Sequence, residues 1–348
     1  MNLIHGLFVY VEAIDFDFKI KILDPDADAP CKFIAHEFVN GSLKDYETVL
    51  AFGEDCDTVT IEIESVNIDA LEELERRGKK IYPQPSVLRL IQDKRIQKQF
   101  YKDNNLPTAD FVLTENQSDL ENYKDFLPAV HKLGKEGYDG KGVQVIRTAD
   151  EKELAVIVAR NVDGEVKTFP VVEMVFHPEA NLVEYLFAPA EISEEITNKS
   201  KEIAEKTAEA FGIIGLLAVE MFLTKDGEIL INEVAPRPHN SGHHTIRAND
   251  VSQFEQHLRA ILNLPLGETH AHSKAAMVNL LGEEGYSGEA IYEGMNECIA
   301  QGGVHPFLYG KRFTKPFRKM GHVTIVEQDF EKLKEKVIFV KRKLKVIA

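Results

Sequence analysis

Asp226-Gly227 separates two apolar stretches, Gly215 to Leu223 and Glu228 to Ile231. This dipeptide is favoured in two-residue type I′ turns, where both central positions need positive φ. Such a turn predicts a hairpin with Lys225 opposite Glu228, and counting outward sets Glu220 directly across from Glu233 on one face. Two like charges so placed repel. A divalent cation between them removes the conflict, since Mg²⁺ takes carboxylate oxygens and bridges to substrate phosphates. The alternative is a solvated sheet edge carrying two spaced acids. Ala218, Val219, Ile229, Leu230 and Ile231 place the acids at the ends of buried strands, where an unpaired charge is costly.

The segment from Val234 to His244, VAPRPHNSGHH, is too rich in Pro, Gly and hydrogen-bond donors to be a helix, and its position straight after Glu233 suits a substrate loop. Arg237 could stabilise anionic oxygens of a transferring phosphate. His239 and His243 have the spacing of a helical zinc pair, but Asn240-Ser241-Gly242 breaks that helix. Upstream, the glycine-rich stretch from Lys132 to Gly142 joins two strands, and its backbone N–H groups could cradle phosphates. It is neither a Walker A motif nor a GxGxxG fingerprint, and an ordinary flexible hairpin is the other reading. Lys132 ends the preceding strand within reach of such phosphates, whereas Lys94 opens a segment that reads equally as a solvated helix face.

Around these motifs the chain alternates strand and helix signals. Strands are predicted at Lys19 to Leu23 and Thr58 to Ile63. Helices are predicted at Leu43 to Phe52, at Ile68 to Arg77 capped by Asn67, and as one unit over Pro85 to Asp103. That is a βαβ pattern with a mainly parallel sheet. Short strands follow at Ala129 to Lys132, Val143 to Arg147, Glu153 to Arg160 and Val166 to Phe176. Capped helices begin at Ser193 and Ser252, strands lie near Val278, Val304 and Val323, and a basic helix starts at Asp329.

With 44% apolar residues in 348, the chain can bury two or three domain cores. A net charge of −16 argues against a general nucleic-acid surface, so an anionic ligand needs a local basic pocket. Lys311, Arg312, Lys315, Arg318 and Lys319 offer one within nine positions. Cys31, Cys56 and Cys298 are too few and too scattered for a disulfide framework or a zinc site, which points to a reducing cytoplasm. The apolar Leu3 to Ala13 lacks a basic lead and is too short to span a bilayer, so neither export nor membrane insertion is expected.

Together DKRIQKQ from Asp93, GYDGKG from Gly137, AVEMF from Ala218, INEVAPRPHNSGHHT from Ile231, SQFEQHLRAI from Ser252 and RKMGHVT from Arg318 resemble the N5-carboxyaminoimidazole ribonucleotide synthase family of purine biosynthesis. The resemblance implies an α/β chain with α+β lobes and an ATP-grasp fold. A Rossmann-like parallel-sheet domain would cover residues 1–103, a small lobe 104–178, a large lobe 179–271 and a small β-rich C-terminal subdomain 272–348. It implies phosphorylation of bicarbonate by Mg-ATP and capture of the carboxyl group by 5-aminoimidazole ribonucleotide, in a homodimer. Arg237, Lys132 and Asn240 would be catalytic, and Glu220 and Glu233 would hold the metal. ATP would meet Lys94, Lys132, Gly137, Tyr138, Asp139, Gly140, Lys141, Gly142, Val143, Glu153, His177, Asn232 and Glu233. The ribonucleotide would meet Glu62, Tyr138, Lys141, Lys311 and Arg318.

Two stretches depart from the family pattern. MNLIHGLFVYVEA stands where members usually carry a strand and a GGGQLG-like turn, and only five residues separate Arg147 from Glu153, where another strand and an adenine-binding hinge are usual. Two other readings follow: a related ATP-grasp ligase using formyl phosphate, and a catalytically silent nucleotide-binding remnant.

Overall fold

The computed structural model describes residues 4–114, 123, 131–132, 134, 143–144, 152–177 and 182–348. The N-terminal region opens with helix α1 (Ile4–Asp15), then runs β1 (Lys21–Asp24), β2 (Glu37–Asn40), α2 (Tyr46–Gly53), β3 (Thr58–Val59), α3 (Ile68–Arg76), β4 (Lys80–Ile81), α4 (Pro85–Ile91) and α5 (Lys94–Asp103). Asn67 caps α3 as expected, its side chain accepting from Ala70 N. The single helix expected over Pro85 to Asp103 is two, because the Asp93 side chain accepts from Arg95 N and starts a new helix there. That break puts Lys94 at a helix N-terminus.

The parallel pairing is present as two separate pairs, β1 with β2 and β3 with β4. In a doubly wound sheet the first strand lies between two such pairs. The stretch that the resemblance assigns to that strand is α1 in this chain, so the sheet is split. A small core of Val49, Val59, Leu71, Leu74, Ile81 and Leu88 still closes the region.

The centre of the chain contains β5 (His131–Lys132), β6 (Val143–Gln144), β7 (Lys152–Arg160), β8 (Val166–Thr168), β9 (Val172–Phe176), β10 (Val183–Ala188), α6 (Glu194–Phe211), β11 (Gly215–Leu223), β12 (Ile229–Ala235), α7 (Thr245–Ala248) and α8 (Gln253–Ile261). The remainder adds β13 (Lys274–Leu281), β14 (Gly288–Glu289), β15 (Ile291–Glu293), α9 (Met295–Ile299), β16 (Val304–Leu308), β17 (Phe313–Thr314), β18 (Lys319–Glu327), α10 (Phe330–Lys343) and β19 (Lys345–Ile347). Ser193, Ser252 and Asp329 cap α6, α8 and α10 through their side chains, as their positions predict. The strand expected over Val166 to Phe176 is broken around Pro170, which has no N–H to donate to a ladder.

One sheet unites most of these strands, in the order β12-β11-β7-β9-β10-β13-β18-β16, with β8 alongside β7. Strands β7 and β9, which the resemblance would place in the small lobe, pair directly with β11 and β10, which it would place in the large lobe, and β10 continues the sheet to β13. One sheet face packs α6 on Leu154, Val156, Leu217, Val219 and Ile231, while the other carries Ala218, Leu216 and Ile157 under α8. α8 also anchors α1, whose Val9 and Ala13 meet Phe254, Leu258 and Ile261. That i, i+4 apolar pair explains why the N-terminal stretch is helical.

Candidate active site

Glu220 lies opposite Glu233 on the β11–β12 ladder, as the sequence predicts, but by a different route. The turn is not a two-residue type I′: Leu223 pairs with Ile229, Gly227 alone has positive φ (+79°), and Thr224 N donates to Glu228 O at 2.9 Å. This longer turn shifts the register by one residue. The register then shifts back between Met221, which pairs with Ile231, and Glu220, which pairs with Glu233, leaving Asn232 as the extra residue of a β-bulge. With Asn232 squeezed out, Glu233 turns away from the face of Ile229 and Ile231, which is packed in the apolar core. Glu153 stands on the same face two residues along: its partner Phe222 and Ala155's partner Glu220 are two apart on β11.

Each carboxylate has a cationic or proton-bearing neighbour. Lys94 Nζ donates to Glu233 Oε2 from the first turn of α5. His239 Nε2 lies 3.3 Å from Glu220 Oε1. The other ring nitrogen, Nδ1, accepts from Ser241 N at 3.3 Å and lies 2.9 Å from the Ser241 hydroxyl oxygen; with Nδ1 as acceptor of both, the neutral ring carries its proton on Nε2, facing Glu220. Asn240, Ser241 and Gly242 form one 3₁₀ turn, and His243 packs instead against Phe254 and His322. The zinc reading of His239 and His243 is thereby set aside.

Arg237 links the loop to the N-terminal region: its Nε donates to Glu64 Oε1 at 2.8 Å and its Nη1 to Pro238 O at 3.1 Å. Beyond it lies Glu62, whose carboxyl is pushed up to about 8 by burial, with Arg237 pulling the other way. Asn240 exchanges amide hydrogen bonds with Asn279 of β13 at 3.0 and 3.1 Å. Glu64 and Asn279 were not anticipated. Glu64 lies two residues after Glu62, a spacing the sequence does contain, whereas Asn279 carries no such signal.

The basic cluster runs from just before β17 to the first residue of β18. Lys311 is buried, with Nζ donating to Lys319 O at 2.7 Å, and Arg318 Nη1 donates to Phe313 O at 2.7 Å. Gly310 brings this loop against Pro30 of the N-terminal region. His177 stacks edge-on with Phe317 at 5.7 Å, which places it beside the basic loop. Gly134 O accepts from Lys94 N at 2.8 Å, and Lys132 pairs with Val143 in the short β5–β6 ladder. Gly137, Tyr138, Asp139, Gly140, Lys141 and Gly142 lie outside the described residues, as do the side chains of Lys132 and Val143.

The donor set fits Mg²⁺ delivered with a nucleotide. The two facing carboxylates supply hard oxygens, and among the described residues no group of three or more His, Cys, Asp or Glu is arranged to hold a metal. Phosphate oxygens and water would have to complete the shell.

The ribonucleotide synthetase preATP-grasp domain matches residues 6–92, the ATP-grasp domain residues 150–254, and the phosphoribosylaminoimidazole carboxylase C-terminal domain residues 275–336. The N5-carboxyaminoimidazole ribonucleotide synthase of Bacillus subtilis is 36% identical over 348 residues, covering 93% of this chain and 89% of that protein. The crystal structure of N5-carboxyaminoimidazole ribonucleotide synthetase from Thermotoga maritima superposes with a TM-score of 0.90 at 41% identity, covering 99% of this chain and 96% of that one. The Aspergillus clavatus N5-carboxyaminoimidazole synthase, solved with ADP and 5-aminoimidazole ribonucleotide, gives a TM-score of 0.86 at 29% identity, covering 96% and 95%. Fold, site geometry and sequence kinship converge: the chain belongs to the N5-carboxyaminoimidazole ribonucleotide synthase family of ATP-grasp ligases.

Proposed function

We propose that this chain carboxylates 5-aminoimidazole ribonucleotide at the expense of ATP, with the paired carboxylates, Lys94 and the Arg237 loop forming the phosphoryl-transfer end of the site. A bicarbonate oxygen attacks the γ-phosphorus, the bond to the β–γ bridging oxygen breaks, and ADP leaves carboxyphosphate behind. The amine of the ribonucleotide then takes the carboxyl group, directly or as released CO₂, and inorganic phosphate and a proton depart. Such a transfer needs positioning and charge neutralisation more than a protein nucleophile.

The observation that carries the reading is the placement of Glu220 opposite Glu233, with Lys94 on one and His239 on the other. Glu220 and Glu233 would hold Mg²⁺, which when bound offsets charge on the ATP phosphates. Lys94 at a helix N-terminus suits the phosphates, and Arg237, half-buried against Glu64, suits the transferring or carboxylate oxygens. Glu62, protonated near neutral pH, can donate to an acceptor on the ribonucleotide, and Lys311 and Arg318 would meet its phosphate. The resemblance further supports a homodimer. The three free cysteines suit the reducing cytoplasm, and among the described residues no helix is long and apolar enough to cross a membrane.

The test is ADP release by the purified chain with bicarbonate and aminoimidazole ribonucleotide each present or omitted. Bicarbonate-dependent release, accelerated by the ribonucleotide, is expected. Release that requires formate instead would indicate formyl phosphate chemistry. Mg-ATP binding without turnover would indicate the silent remnant.

A further inference from the structure

Gln253 is the first residue of α8, fully buried, and spends its side-chain amide on the loop after Glu233. Its Oε1 accepts from His239 N at 2.8 Å, while its Nε2 donates to His239 O at 2.7 Å and lies 3.1 Å from His243 Nδ1. Both backbone groups of one residue are thus gripped by one amide, much as a neighbouring strand would grip them. The start of α8 is tied to the same loop through its backbone, because Gln253 N donates to Thr245 Oγ1 at 2.9 Å and Thr245 Oγ1 donates to Gly242 O at 2.5 Å. The fit leaves no room for a side chain at position 242: a Cβ there would fall 2.6 Å from Gln253 Oε1 and collide with Ile157.

α8 packs on β11, the strand that carries Glu220. Gln253 therefore ties the loop to the same rigid frame as the carboxylate that His239 faces. We propose that Gln253 is a positioning residue for the carboxylation reaction: by holding the His239 backbone it aims Nε2–H at Glu220 and fixes that carboxylate for Mg²⁺. The inference rests on the reading of Glu220 as a metal ligand.

Gln253→Met keeps the length and packing of the side chain and removes both hydrogen-bonding groups. It is expected to need roughly 10- to 100-fold more Mg²⁺ for half-maximal ADP release, the usual cost of losing a group that orients a ligand. KM for the ribonucleotide should stay within about twofold, since uniform substrate binding is untouched. Calorimetry should show weakened ADP binding in the presence of Mg²⁺ and unchanged ADP binding without it. A folded Gln253→Met variant with the wild-type Mg²⁺ requirement overturns the proposal.

If that variant does not fold, Gln253→Glu decides: its carboxylate lacks the donor to His239 O and regains it on protonation. The Mg²⁺ requirement should therefore rise with pH more steeply than in wild type, and a wild-type profile overturns the proposal. In the unmodified protein, ¹⁵N shifts of His239 should report the Nε2-protonated tautomer, and the Nδ1-protonated form would equally overturn it. Glu220→Gln separates the two readings. No change in Mg²⁺ requirement there removes the metal assignment, whereas a change there with none in Gln253→Met removes only the role of Gln253.

Discussion

The Arg237 guanidinium meets the Glu64 carboxylate at 2.8 Å, joining the loop that follows the carboxylate pair to the segment that carries Glu62. Both partners are half-buried, so the contact is less screened than a fully exposed ion pair. Arg237→Ala should lower kcat by on the order of 10²- to 10³-fold if its donors face developing charge. Glu64→Ala should cost less, and the double variant should depart from additivity by about 1 kcal/mol or more in a urea-denaturation cycle, as contacting residues do.

Glu233→Ala should abolish ADP release with little loss of fold, because the carboxylate sits at the rim of the sheet rather than in its core, its side chain 37% exposed. Circular dichroism and a thermal melt check the fold, and wild-type activity in this variant would sink the metal assignment. Chelation of divalent cations should stop turnover in the wild type and be reversed by added Mg²⁺.

Arg318→Ala should mainly raise KM for the ribonucleotide and leave kcat nearly unchanged, because a group that holds substrate and transition state alike contributes uniform binding. Steady-state kinetics at saturating ATP and bicarbonate decide this. An unchanged KM would remove Arg318 from the pocket.

Glu62 titrates near 8 when folded, above its ordinary value of 4.5. Between those values the folded state binds more protons than the unfolded one, so this group's contribution to stability declines as pH rises through that window and levels off above about 8. Glu62→Gln should flatten that part of the profile when urea midpoints are measured from pH 5 to 9 (roughly the window set by linkage).

Three buried histidines act in the opposite sense. Burial lowers His244 and His257 to about 4 and His322 to about 3, from an ordinary 6.5. The unfolded chain therefore binds more protons below pH 6.5, and stability should fall on acidification by up to about 1.4 kcal/mol per pH unit for each such histidine. Urea midpoints below neutrality should show this acid limb outweighing the opposing terms from carboxyls that burial raises, namely Glu62, Asp24 at about 6, and Glu12.

What could be read from the chain was largely local. Asn67, Ser193, Ser252 and Asp329 announce helix starts because a cap needs only a side chain and an N–H about one turn away. Asp93 has the same chemistry, and treating it as a helix interior merged α4 with α5. The facing of Glu220 and Glu233 was recognisable from spacing. Arg237 with Glu64, Lys94 with Glu233 and Asn240 with Asn279 are long-range pairs set by how the sheet and the N-terminal region meet. No local pattern encodes them. The register of the acids came out correctly although the turn was read one residue too short, because the bulge at Asn232 offsets the error.

That bulge bears on how the hairpin would tolerate losing a residue. Deleting one position within a strand ordinarily exchanges the two faces for everything beyond it. Deleting Asn232 would not: Ile231 would be followed directly by Glu233 in plain alternation, and Glu220 would still face it. The extra residue is thus dispensable for alignment of the acids, and what it adds is the sharper local twist that bulges bring to a strand. A chain shortened by that one residue would separate the geometry of the carboxylates from the contacts Asn232 makes itself.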